Sequence, residues 1–146
     1  MFIDGVMSGD RKSLRADMQG LSKISTQDVE KYFQVTGENP LVGVEGRVAL
    51  LNGLSRAVNN RSMFKDGRPG NIIDALIAKH GNTVPAPSIL RAVLDGFGTI
   101  WPGRLSAKTE NGVVNLGDVW KHQGLGKLIP IHKLSQWMTY SLIEPM

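Results

Sequence analysis

Leu134-Ser135-Gln136-Trp137-Met138-Thr139-Tyr140-Ser141-Leu142 is the stretch on which the fold class turns. Leu134, Trp137, Met138, Ser141 and Leu142 fall at i, i+3, i+4, i+7 and i+8, the repeat of one face of an α-helix. The same repeat runs upstream. Val48, Leu51, Leu54, Ser55 and Val58 share one side of a segment whose other side carries Arg47, Asn52, Arg56 and Asn59. Asn71 opens a short helix with Ile72, Ile73, Leu76 and Ile77 inward, closed by His80-Gly81-Asn82. Pro85 and Pro87 begin another, since proline is tolerated in a first turn, and Ile89, Leu90, Val93, Leu94 and Phe97 form its stripe. Ser25 or Thr26 caps an earlier helix that carries Val29, Tyr32 and Phe33 and stops near Gly37. Only residues 106–119 read as β, with Glu110-Asn111-Gly112 as a turn and Val113-Val114 pairing back toward Leu105. The expected fold is all-α or mainly α: a compact bundle of about five or six helices with at most one small β-hairpin.

The composition narrows the chemistry. The chain has 146 residues, a single-domain length, and 41% of them are apolar, enough for a core without a staple. It has no Cys, which excludes disulfide scaffolds, thiol nucleophiles and iron–sulfur clusters. Its longest apolar runs fall far short of the about 20 residues of a transmembrane helix, and Met1 to Met7, interrupted by Asp4 and Gly5, is not expected to be a secretory signal. The net charge of +4 is scattered, so no basic stripe marks a nucleic-acid face. We expect a cytoplasmic protein with no membrane or nucleic-acid partner. Met1, Phe2, Ile3, Val6 and Met7 at one end, and Leu142-Ile143 near the other, leave apolar surface at both termini. That is the pattern of a segment of something longer, or of a chain that self-associates through its ends.

Generic site templates are absent: no phosphate loop, no nucleophile elbow, no paired His at metal spacing, and therefore no expected metal or cofactor. Polar and aromatic residues concentrate instead between Trp101 and Tyr140. Arg104 follows a Pro-Gly turn beside Trp101, suited to a carboxylate or a phosphate. Asp118, Trp120 and His122 lie within five residues, and His132, Lys133 and Gln136 open the last helix. His132 and Lys133 stand where a helix start favours negative charge, which points them toward an anion or a tertiary carboxylate. Each has a plainer reading: the tryptophans as core aromatics, Arg104 as a helix cap or a partner of Asp118, Asp118 as a turn former. Glu45, between Gly43 and Gly46, suits either a close backbone approach or an ordinary first helical turn.

Three blocks carry a resemblance: Phe33-Gln34-Val35-Thr36 with residues 39–47; Ile100-Trp101-Pro102-Gly103-Arg104-Leu105; and residues 116–122 with residues 130–145. With Asp66-Gly67-Arg68-Pro69-Gly70 they resemble, in order and spacing, the fungal and bacterial uracil-catabolism family, the fourth component of the pathway that opens uracil after its ribosylation. The resemblance covers residues 1–146 as a single partial domain, matching the central-to-late region of longer proteins. It implies a cytoplasmic role in pyrimidine breakdown and a nucleoside- or nucleotide-like ligand. One activity that would suit such a place is N-glycosidic hydrolysis of an intermediate such as ribosylurea phosphate. By chemical type, Asp118 and then Glu45 are the candidate catalytic carboxylates. Arg104 and Lys133 would hold phosphate, His132 or Gln136 would contact the base, and Trp101 or Trp120 would stack on it. The alternative is a non-catalytic helical scaffold, or a ligand- or partner-binding subunit of the same pathway.

Overall fold

The computed structural model describes residues 1–101 and 105–146. These divide into two compact units, Met1–Asn71 and Ile72–Met146. In chain order they contain α1 (Met18–Leu21), α2 (Thr26–Tyr32), α3 (Val44–Ala57), α4 (Asn71–His80) and α5 (Ala86–Phe97). A short 3-10 turn, Gly98–Ile100, follows. Then come β1 (Ser106–Thr109), β2 (Gly112–Asn115), β3 (Trp120–Lys121), β4 (Leu128–Ile129) and α6 (Lys133–Ile143). The chain is mainly helical.

The first unit is built on reciprocal caps and one apolar cluster. Ser25 accepts from the Asp28 amide while the Asp28 carboxylate accepts from the Ser25 amide, so both orphan donors at the start of α2 are satisfied. Asp17 does the same work for α1 by accepting from Gly20 N at 2.9 Å. Leu21, Ile24, Val29 and Val44 form the cluster, with Met7, Leu51 and Leu54 packed against it. Ser55 Oγ of α3 donates to Met18 O at 2.7 Å and pins α3 to α1. Gly20 sits where no side chain fits, because a Cβ there would drive into the Met7 carbonyl. The four-residue α1 has no legible apolar period, so the sequence pattern passes over it.

In the second unit α5 lies against α6. Ile89, Val93 and Phe97 are buried on α5, as its stripe predicts. The face of α6 differs from the pattern. Ser135 and Thr139 are its buried residues, while Trp137 is 74% exposed and Leu134 and Ile143 are about half exposed. The stripe is therefore rotated: Ser135 and Thr139 are its most buried members, with Met138 and Leu142 of the expected face half-buried beside them.

The hairpin lies where expected, with β1 and β2 antiparallel and Ser106 opposite Asn115. A second two-strand pair corrects the expectation of one hairpin at most: Trp120 pairs with Ile129 and Lys121 with Leu128. Two-residue strands have no alternation to read. Gly126 at φ 62° and the His122 N to Lys127 O bond at 2.9 Å close the loop between them.

Candidate functional site

Asp118 organises the polar part of the second unit. It is 6% exposed. Its Oδ2 accepts from Leu134 N at 2.7 Å and its Oδ1 from Trp120 Nε1 at 3.1 Å. Its backbone carbonyl accepts from His132 N at 3.1 Å. The cap of α6 is thus supplied from sixteen residues upstream, because His132, at the N-cap position, gives no side-chain bond and holds a left-handed φ of 48°. A non-glycine residue pays conformational energy there, and it persists only where surrounding contacts fix it. Asp118 provides two of those contacts.

Beside this node is a cavity of about 220 Å³, lined by Trp101, Asn115, Asp118, His132 and Ser135 with Leu94 of α5. The Ser135 hydroxyl is buried and meets no hydrogen-bond partner among the described residues. An unmade bond of that kind is costly and singles out this wall of the cavity. Among the described residues no cationic nitrogen is paired with Asp118. A carboxylate has about four lone-pair sites, so two N–H donors leave acceptor capacity on Asp118.

The structure brings Asp118, His132 and Trp101 to one cavity, and joins Trp120 to it through the indole N–H. Trp120 is otherwise 46% exposed and also lines a shallower cavity with His122 and Ile131. Lys133 is exposed in the first turn of α6. Gln136 turns its amide back, donating from Nε2 to Ile131 O at 2.7 Å. Glu45 belongs to the first unit, exposed in the first turn of α3, where negative charge suits the helix. Arg104 lies outside the described residues. Asn115 and Ser135 were missed in the sequence. Asn115 reads there as the end of a strand, and Ser135 as a neutral member of a helix whose large apolar neighbours attract the eye.

The family described as "Protein of unknown function (DUF1688)" matches residues 1–146. This chain belongs to that family. Uracil catabolism protein 4 of Lachancea kluyveri is 34% identical over 165 residues, covering 100% of this chain and 37% of that protein. Protein urg3 of Schizosaccharomyces pombe is 33% identical over 136 residues, 90% of this chain and 31% of that protein. The chain spans about a third of the length of these curated relatives. No solved structure matches it. Among the described residues no helix is long and apolar enough to cross a membrane, and no cluster of His, Asp or Glu has the makings of a metal site.

Proposed function

We propose that this protein acts in uracil breakdown by cleaving the N-glycosidic bond of a ribosylated intermediate such as ribosylurea phosphate, with Asp118 as the working carboxylate. The observation that carries this reading is a buried carboxylate, fixed by two N–H donors, on the wall of a cavity shared with His132 and Trp101. Hydrolysis breaks the bond from the anomeric carbon to nitrogen and forms one from that carbon to water oxygen. The departing nitrogen takes a proton. Positive charge grows on the sugar ring as the bond breaks, and a preoriented carboxylate stabilises it without reorganising. Hydrogen bonds from Leu134 and Trp120 hold both carboxylate oxygens in place, which suits Asp118 to a preoriented electrostatic role. His132 would meet the leaving base and Trp101 or Trp120 would stack on it. Lys133 and Arg104 would serve the phosphate, with Gln136 in support. The setting is the cytoplasm.

One observation favours the second reading, a non-catalytic scaffold or ligand-binding subunit: Asp118 already caps α6, a structural role that needs no substrate. Incubation of the full-length protein with ribosylurea 5′-phosphate, with urea assayed, separates the two. Steady release above the uncatalysed rate is expected; binding without release would overturn the hydrolase and leave the subunit.

A further inference from the structure

The first unit holds a second cavity, of about 380 Å³, lined by Arg15, Arg61 and Arg68 together with Asp17, Asp66 and Gln19. We propose that it is a binding site for the phosphate group of a small phosphate monoester. All of these residues belong to the first unit.

Arg15, Arg61 and Arg68 line the cavity against Asp17 and Asp66, and Asp17 is already paired with Arg15. Asp17 Oδ2 accepts from Arg15 Nε at 2.8 Å, and its two oxygens also accept from Gly9 N and Gly20 N. Arg61 and Arg68 have no such partner: among the described residues neither is paired with a carboxylate. Arg61 is oriented by a neutral group, donating from Nη1 to Lys65 O at 3.1 Å. Each guanidinium carries five N–H donors in a planar fork, so both residues keep donors for a ligand in the cavity they line. Oxyanions with several equivalent oxygens match such forks better than a single carbonyl does.

The loop that presents Arg68 is fixed before any ligand arrives. Asn71 Oδ1 accepts from both Asp66 N and Arg68 N at 3.2 Å, and Gly67 O accepts from Met18 N at 2.8 Å. Gly67 itself has φ +67°, and a Cβ there would lie 3.1 Å from Arg61 Nη1. Glycine at this position therefore serves both the turn and the close passage of the guanidinium. A preset loop lowers the ordering cost of binding. Asp66 remains as an acceptor on the cavity wall, suited to a hydroxyl on the rest of the ligand and unfavourable to a bare dianion held close to it. That asymmetry favours a phosphate monoester over a free inorganic anion.

The experiment titrates the intact protein with ribose 5-phosphate, inorganic phosphate and ribose at constant ionic strength, reading backbone amide shifts by NMR. Saturable shifts at Gly67, Arg68 and Gln19 are expected with ribose 5-phosphate. Weaker saturation at the same amides is expected with inorganic phosphate, and none with ribose. The double variant Arg61→Gln/Arg68→Gln, at exposed positions, is expected to weaken ribose 5-phosphate binding at least about tenfold. Arg91→Gln, which breaks an exposed ion pair elsewhere, is expected to leave it unchanged. Equal binding by the double variant, equal response to ribose, or shifts confined to other residues would each overturn the site. Because the readout is binding and not turnover, its failure is separate from any failure of the hydrolase reading.

Discussion

Asp17 and Asp118 are both buried aspartates that cap a helix, and the difference between them is instructive. Asp17 sits among amides and a guanidinium. Burial alone would raise its pKa, but the amides of Gly20 and Gly9 and the Arg15 guanidinium outweigh it and hold the carboxyl below the usual carboxylate range. Its charge is fully committed to the fold. Asp118 has two N–H donors, no cationic partner among the described residues, and an adjoining cavity. Around Asp17 every carboxylate oxygen is engaged by the fold; around Asp118 a strained His132 and an unsatisfied Ser135 share one space with the carboxylate.

The sharpest way to break this contrast is by volume. Gly20→Ala is expected to cost about 3 kcal/mol or more, since the new methyl group meets backbone and not a movable side chain. Gly98→Ala, with no atom within 4 Å of the new Cβ and an ordinary helical φ, is expected to be neutral or slightly stabilising. Thermal unfolding of the two variants checks the pair. Comparable losses would remove the distinction between the packed surroundings of Gly20 and the open ones of Gly98.

Acid tests the same contrast through charge. A carboxyl with a lowered folded pKa contributes stability that is complete above its unfolded value, about 3.9 for Asp, and is lost as pH falls through the folded value. Stability of the first unit is therefore expected to decline below about pH 4 as Asp17 protonates, with Asp28, also held low by its capping partner Ser25, adding to the slope. In Asp17→Asn the decline is expected to be shallower. Urea unfolding followed across pH 2–5, a range chosen around that ~3.9 reference, checks it; an unchanged slope in the variant would assign the acid sensitivity elsewhere.

Smaller effects separate the cap from the charge in the second unit. Asp118→Ala is expected to lose about 1–2 kcal/mol, since it removes the acceptor that Leu134 N and the Trp120 indole N–H share. Asp118→Asn retains an acceptor for the helix and is expected to lose well under that. Ser135→Ala, which removes a buried hydroxyl without a partner, is expected to be neutral or to gain up to about 1 kcal/mol. A large loss in Ser135→Ala would mean that the hydroxyl is bonded in solution.

Much of this fold is legible in the sequence where a helix is long and its apolar residues recur. The bounds of α4 follow from Asn71 and His80-Gly81, the start of α2 from Ser25 and Asp28, and the hairpin from Asn111-Gly112. What the pattern misses has a physical cause in each case. The α1 turn and the β3–β4 pair are too short for a period. The face of α6 follows α5, not its own largest side chains: burying Ser135 and Thr139 lets the two helices approach, and Thr139 satisfies its hydroxyl on Ser135 O at 2.9 Å. The density of polar residues between Trp101 and Tyr140 marks the neighbourhood of the cavity. The way Asp118 reaches Leu134 across sixteen positions is a tertiary fact that no local spacing encodes.

Kinetics and stability of Asp118→Asn in the full-length protein test the central claim most directly. If the carboxylate charge drives N-glycosidic cleavage, urea release from ribosylurea 5′-phosphate falls at least about 100-fold in the variant while its thermal midpoint stays near that of the parent. Release at the parental rate with the fold intact would show that Asp118 is a helix cap and nothing more.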